Sequence, residues 1–298
     1  MPSLSFLRRH AVAVAVAALA AGAAHAVPII GLTSTNAFTV FDSATPINAS
    51  VPVQVTGLQG ANERLLAIDL RPTTGTVYAV SDASKVYSVT TAGVATFVGT
   101  LSTPLAGSVV GFDFNPVADL AGMASLRIVS STGQNLAFHV GTGATTVATS
   151  VETGFSGVAY SSNDVDPATG TFLYYVDLET DQLKVATANF NNPTIATVGS
   201  LGLDVTGMAG FDIYSSATAF AAFTFEDTSK SGLYSIDLAS GAASLLGSFG
   251  ILGFTNVAPP LLGLTAAMIS PVPEPETWAL MLAGLATLGT MAKRRRQR

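Results

Sequence analysis

Leu65-Leu66-Ala67-Ile68-Asp69-Leu70 reads as a short buried strand, and the chain repeats it four more times in altered spelling. The later copies are Val110-Gly111-Phe112-Asp113-Phe114, Ser156-Gly157-Val158-Ala159-Tyr160, Ala209-Gly210-Phe211-Asp212-Ile213 and Leu262-Gly263-Leu264-Thr265-Ala266. Aligned on Asp69, Asp113, Ala159, Asp212 and Thr265, the copies are spaced by 44, 46, 53 and 53 residues. A period of this size built from strands alone is the signature of a β-propeller blade.

Three further strands fit within each period. Those after Leu70 are Val77-Tyr78-Ala79-Val80, Val86-Tyr87-Ser88-Val89 and Ala95-Thr96-Phe97-Val98-Gly99. Those after Ile213 are Phe220 to Phe225, Leu233-Tyr234-Ser235-Ile236-Asp237 and Ala243 to Gly247. Turn formers separate them, as in Pro72-Thr73-Thr74-Gly75 and Pro167-Ala168-Thr169-Gly170, with glycines at 93, 143 and 241 before the outermost strands.

The ends complete the pattern. Ile29-Ile30-Gly31-Leu32, Phe38-Thr39-Val40-Phe41 and Val51-Pro52-Val53-Gln54-Val55 match the second, third and fourth strands of a blade that lacks its first. Leu261 to Ile269 is a first strand without successors. The expectation is an all-β fold: a β-propeller of five four-stranded blades, closed by N-terminal strands pairing with a C-terminal one. Closure also hides edge strands that would otherwise aggregate. A two-sheet β-sandwich accounts for the strands but not for the complementary ends.

The chain divides into residues 1–26, a signal peptide; 27–270, the propeller; and 271–298, a tail. Arg8 and Arg9 precede the small apolar run Ala11 to Ala24, and Ala24-His25-Ala26 offers a cleavage site after Ala26. An N-terminal membrane anchor would need about 20 apolar residues, more than this run supplies. The arginine pair hints at twin-arginine export, but no polar pattern supports it, so the general secretory route is expected. In the tail, Pro273-Glu274-Pro275 precedes the apolar stretch Trp278 to Met291, and Lys293, Arg294, Arg295, Arg296 and Arg298 follow. Positive charge is retained on the cytoplasmic side, so this order halts the tail in the bilayer as a transient transmembrane helix. At about 15 residues it is short for a permanent anchor.

With both ends removed, six basic and 17 acidic residues remain, a net charge of −11 against −6 for the whole chain. Such a surface repels phosphate backbones, which argues against nucleic acid as a partner. Cysteine is absent, so disulfides, thiolate metal sites and cysteine nucleophiles are excluded. Stability must come from an extensive apolar core.

The repeated Asp69, Asp113 and Asp212 lead the catalytic candidates. First strands line a propeller's central channel, so these carboxylates either converge there, for a hard cation or for acid/base work on a sugar, or bond backbone N–H groups between blades. Strand alternation allows both. No cofactor motif is present, and a calcium ion on these carboxylates is the one candidate. Arg71, Asn115, Arg127, Gln134 and Asn135 are the ligand-binding candidates; the structural reading pairs each arginine with an aspartate of a neighbouring blade. His139 is the one histidine of the mature body and makes no metal site or triad by itself. Asp164-Val165-Asp166 and Asp177-Leu178-Glu179-Thr180-Asp181 lack EF-hand spacing and read as solvated turns. There is no phosphate-binding loop, dinucleotide fingerprint or nucleophile elbow.

Two stretches resemble known families. Val272-Pro273-Glu274-Pro275-Glu276-Thr277-Trp278-Ala279-Leu280 resembles the PEP-CTERM sorting signal. That resemblance implies an exosortase-type protease as partner, removal of the tail, and release to the cell surface or matrix of cells that make exopolysaccharide. Ala67-Ile68-Asp69-Leu70-Arg71-Pro72, Gly111-Phe112-Asp113-Phe114-Asn115-Pro116, Ser131-Thr132-Gly133-Gln134-Asn135-Leu136, Val198-Gly199-Ser200-Leu201-Gly202 and Gly232-Leu233-Tyr234-Ser235-Ile236-Asp237 are similar to the bacterial family called domain of unknown function 4394. This resemblance covers nearly all of the mature body and brings a fold expectation without an activity. Leu120 to Ser125 looks like a small insertion. Two functions follow as expectations: a non-enzymatic extracellular matrix or binding protein with exopolysaccharide among its partners, or a secreted glycosidase or lyase using channel carboxylates.

Overall fold

The computed structural model describes residues 26–267 other than 164–165, 167, 206, 208, 216–217, 226–229 and 254–257. The first blade takes β1 (Pro28–Thr33), β2 (Ala37–Asp42) and β3 (Val53–Gln54) from the N-terminal end. The second is β4 (Leu65–Arg71), β5 (Thr76–Ser81), β6 (Lys85–Val89) and β7 (Ala95–Thr100). The third is β8 (Val110–Phe114), β9 (Ser125–Ser130), β10 (Asn135–His139) and β11 (Ala144–Val147). The fourth is β12 (Phe155–Tyr160), β13 (Leu173–Asp177), β14 (Gln182–Ala186) and β15 (Ile195–Ser200). The fifth is β16 (Ala209–Ser215), β17 (Thr218–Phe225), β18 (Lys230–Ile236) and β19 (Ala243–Ser248). Finally β20 (Leu261–Ala266) returns to the first blade.

All five sheets are four-stranded antiparallel meanders, and the first has the order β20-β1-β2-β3. β1 and β20 pair Ile29 with Ala266, Ile30 with Thr265 and Gly31 with Leu264. The two ends of the propeller chain therefore share one sheet, as the complementary strands predict. The fourth strand of the first blade is shorter than expected: only Val53 and Gln54 pair with β2. The chain then leaves to bridge Thr56 to Val94 of the second blade. The chain at Gly93 allows that approach. Its φ is +78°, and a Cβ there would lie 2.5 Å from the Gln54 carbonyl oxygen.

The apolar core is divided among the blade interfaces. Ile30, Leu32 and Phe38 of the first blade pack on Leu65, Ile68, Val77 and Tyr87 of the second. Val80 and Val86 pack on Phe112, Phe114, Leu126 and Phe138. Val129 meets Phe155, Val158, Tyr160 and Tyr175. Val176 and Leu183 meet Phe211, Ile213, Ala221 and Phe223. Phe220 and Leu233 return to Ile29, Phe41 and Leu264. Face-to-face packing of sheets explains why inner strands carry apolar residues on both sides, with all five residues of β8 buried. The outermost strands are mostly exposed, as in β11 and β19, which accounts for their Ser and Thr content.

In three of the blades the third and fourth strands share a bulge. In the second blade Val86 pairs with Gly99 and Tyr87 with Phe97, which leaves Val98 extra. Val198 and Leu246 are the extra residues in the fourth and fifth blades. A short helix, α1 (Pro116–Leu120), leads into the segment read as an insertion, Leu120 to Ser125, and is capped by Asn115, whose Oδ1 accepts from Ala118 N. Among the described residues no helix is long and apolar enough to cross a membrane. Residues 1–25 of the expected signal peptide, including Ala24, and the tail with Pro273, Glu274, Pro275 and its apolar stretch lie outside the described residues.

Candidate functional site

First strands reach the axis by losing their side chains. Two residues before each aligned position stand Ala67, Gly111, Gly157, Gly210 and Gly263. A Cβ on Gly111 would lie 2.5 Å from Val158 N, and one on Gly210 2.7 Å from Leu264 N. Backbone therefore packs on backbone, and these residues surround a cavity of about 10 Å³, room for a single water. Among the described residues, this cavity is far too small for a sugar ring.

At the aligned positions the sequence left two orientations open, and the structure combines them. Asp69, Asp113 and Asp212 are 4%, 1% and 2% exposed. Each reaches across to the next blade and accepts a backbone N–H. Asp69 Oδ2 takes Phe114 N at 2.8 Å, Asp113 Oδ1 takes Tyr160 N at 2.9 Å and Asp212 Oδ2 takes Ala266 N at 2.7 Å. Thr265 continues the rule, its Oγ1 accepting from Leu70 N at 3.1 Å. One rule thus runs round the hub: the side chain at the aligned position accepts from the residue after the aligned position of the next blade. Ala159 has no acceptor and breaks it.

The same carboxylates also converge, with one oxygen of each within 4.8 Å of the others. Burial pushes all three carboxyls above the ordinary range. For Asp69 and Asp113 the neighbouring carboxylates add to the rise. An acid with a raised folded pKa holds protons more tightly folded than unfolded. This contribution favours the fold at low pH and is lost as pH rises through the folded pKa.

The ligand-binding candidates are occupied by the fold. Arg71 bonds Asp119 of the next blade, Nε to Oδ1 at 2.7 Å, as the pairing expectation has it. Asp119 also accepts from Thr73 N and Oγ1. Arg127 departs from that expectation. It lies opposite Asp113 across β8 and β9, yet it donates to Asn135 Oδ1 at 2.8 Å, Asn191 Oδ1 at 2.9 Å and Tyr160 Oη at 3.3 Å. Asn135 Nδ2 is in turn spent on the Thr149 and Phe190 carbonyls. The Asp113 carboxylate is turned toward the axis, so the amides of Asn135 and Asn191 take its place. Gln134 ties down the 104–106 loop through Pro104 O and Ala106 N, and Asn115 caps α1. His139 Nδ1 accepts from Gly141 N and Thr142 N in its own turn.

Asp166 accepts from Ala168 N, as a turn residue does; Asp164 and Val165 lie outside the described residues. Asp177 is no solvated turn residue. It is 1% exposed and pairs with Lys184 at 2.8 Å. Glu63 belongs to a second buried network unmarked by any repeat, accepting from Ser81 Oγ, Tyr87 Oη and Lys85 Nζ. Burial opposes the charge on Glu63. The bonds from Ser81, Tyr87, Lys85 and the Gly60 amide outweigh it and lower the pKa. The Tyr87 phenol is pushed up to about 12 by its burial, with the Glu63 carboxylate adding to the rise.

Larger openings lie at the outer ends of the blade interfaces. A cleft of about 780 Å³ is lined by Tyr174, Ser235, Asp237, Leu238 and Ser244. A smaller one of about 340 Å³ is lined by Ile30, Thr76, Ser88, Thr90 and Thr96. They are equivalent: Ser235 pairs with Ser244 as Ser88 pairs with Thr96.

Solved structures with which the fold aligns are distant. They include the Kuenenia stuttgartiensis hydrazine synthase at 13% identity, 65% of this chain and 53% of that one, TM-score 0.43. A structural genomics protein of unknown function from Bacteroides thetaiotaomicron gives 14% identity, 75% and 58%, TM-score 0.47. A protein from Lactobacillus plantarum gives 19% identity, 79% and 70%, TM-score 0.40. The chain spans little more than half the length of the first two. No curated protein matches the sequence. The PEP-CTERM protein-sorting motif matches residues 271–296, so the chain carries the signal of an exosortase substrate exported to the cell surface or extracellular space. Residues 37–258, nearly the whole propeller, match the domain of unknown function 4394, and the protein belongs to that family.

Proposed function

We propose that this exported protein is a non-enzymatic binding component of the cell surface or extracellular matrix, and that it holds exopolysaccharide in the clefts between its blades. The cleft beside Tyr174 carries the reading. An aromatic ring stacks on the apolar face of a sugar, and Ser235, Ser244 and Asp237 supply hydroxyl and carboxylate partners for sugar hydroxyls. The equivalent Ser88 and Thr96 cleft gives a second point of attachment, and two weak sites on one rigid body bind a polymer far more tightly than either alone.

The alternative, a glycosidase or lyase at the hub, has no such support. Acid/base chemistry on a glycosidic bond needs carboxyl groups that touch the sugar. Asp69, Asp113 and Asp212 are all 4% exposed or less. The tail residues 271–298 fit a role in processing: exosortase cleavage frees a propeller whose net charge of −11 keeps it soluble.

Affinity electrophoresis through extracted exopolysaccharide tests the proposal. The wild-type protein is expected to be retarded, and Tyr174→Ala to lose most of that retardation while keeping a native circular dichroism spectrum at the assay temperature. Migration of the wild type at the same rate with and without polysaccharide, in calcium as in chelator, would count against it.

A further inference from the structure

At the hub, the acceptors outnumber the hydrogens. Asp113 Oδ2 and Asp212 Oδ1 are fully buried and have no hydrogen-bond partner. Thr265 Oγ1 lies 3.0 Å from both Asp69 Oδ1 and Asp212 Oδ2. Its single hydrogen serves one of them, because it also accepts from Leu70 N. Three carboxylates in such a place cannot stand charged and bare.

Protons relieve the charge but not the geometry. In Asp113, Oδ1 is taken by Tyr160 N, so an added proton belongs on Oδ2. There it serves at most one of the carboxylate oxygens that converge on the axis. The other groups round the hub do not help. Ala159 of β12 carries no polar side chain. Arg127 of β9 is engaged by Asn135, Asn191 and Tyr160.

We infer that Asp69, Asp113, Asp212 and Thr265 form the site of a single hard divalent cation, of the calcium class, bound on the propeller axis. A cation satisfies several oxygens at once where a proton satisfies one. Ligands on opposite sides of a calcium ion at about 2.3–2.6 Å stand about 5 Å apart, which suits oxygens lying within 4.8 Å of one another. The donors are all oxygen, which selects calcium or magnesium over softer metals. Such an ion rivets the first strands of the first, second, third and fifth blades together, and the compartment outside the cell supplies calcium freely. The site is structural and independent of any ligand in the clefts.

The test uses the secreted protein, analysed for metal as purified, then stripped with chelator and melted with added Ca²⁺ or Mg²⁺. About one divalent ion per chain is expected. Calcium at 100 times its Kd should raise Tm by about 5–10 °C for a domain of this size. Asp113→Asn keeps the acceptor for Tyr160 N and should lose both the ion and the calcium-dependent rise. Asp181→Asn, in an outer turn, should keep them. A wild-type protein that holds no stoichiometric divalent ion, and melts at one temperature in chelator, calcium and magnesium, overturns the site. So does an Asp113→Asn variant that keeps the full calcium effect. Should Asp113→Asn fail to fold, the metal content and calcium response of the wild type decide by themselves.

Discussion

Replacing Gly111 by alanine should push two blades apart. The added Cβ would sit 2.5 Å from Val158 N and 2.9 Å from the Gly157 carbonyl carbon, about 0.9 Å closer than ordinary contact begins. The obstacle is backbone of the facing first strand, which no rotamer change can move, so β8 and β12 must separate. Overpacking of this kind costs about 1–3 kcal/mol, and the stiffer unfolded chain returns about 0.4–1 kcal/mol. The net loss of about 1–2 kcal/mol lowers Tm by about 2–8 °C in a domain of this size. Gly263→Ala is the matched control. It stands at the same ring position, where the nearest atoms to a Cβ lie 3.4–3.6 Å away, and Ala67 already fills that position in the second blade. Its Tm should stay within about 1 °C of wild type or rise. Circular dichroism melts of the two variants side by side make the measurement. Equal shifts for both, or a more stable Gly111→Ala, would refute the backbone contact between first strands.

Acidification separates the outer acids from the hub. Glu63 and Asp177 have lowered folded pKa values. Burial opposes the charge in both, but hydrogen bonds outweigh it, led for Asp177 by Lys184. Their stabilisation is present above the unfolded value of about 4 and disappears as pH falls through the folded one. Urea midpoints should therefore fall below about pH 4, and Glu63→Gln should flatten that fall while lowering the midpoint at pH 7; a pH profile identical to wild type would show that Glu63 is not held ionised by its partners. Deleting the segment Leu261 to Ala266 strips β1 of its partner and opens an edge at the ring closure. The shortened protein should elute from size exclusion as aggregate, and recovery as a stable monomer would mean that closure does not hold the ring.

Strands, blade number and closure were legible in the residues because each rests on local or additive information. Alternating apolar residues and Gly/Pro turns mark a strand without reference to the rest of the chain, and counting strands at the two ends shows that they complete one blade. The sorting motif was legible for the same reason, since it is a contiguous string. Other features depend on which groups meet across a blade interface. In a strand buried on both faces, alternation cannot say which way Asp69 points, because both faces are apolar. Only the packed ring brings Asp69, Asp113 and Asp212 together and sends one oxygen of each to a neighbouring blade. Arg127 looked like the partner of an aspartate because charge is the only signal a sequence offers; tertiary contact gave it Asn135 and Asn191, 8 and 64 residues away. Glu63 carries no motif, and its partners Ser81, Tyr87 and Lys85 come from the three-dimensional surroundings alone.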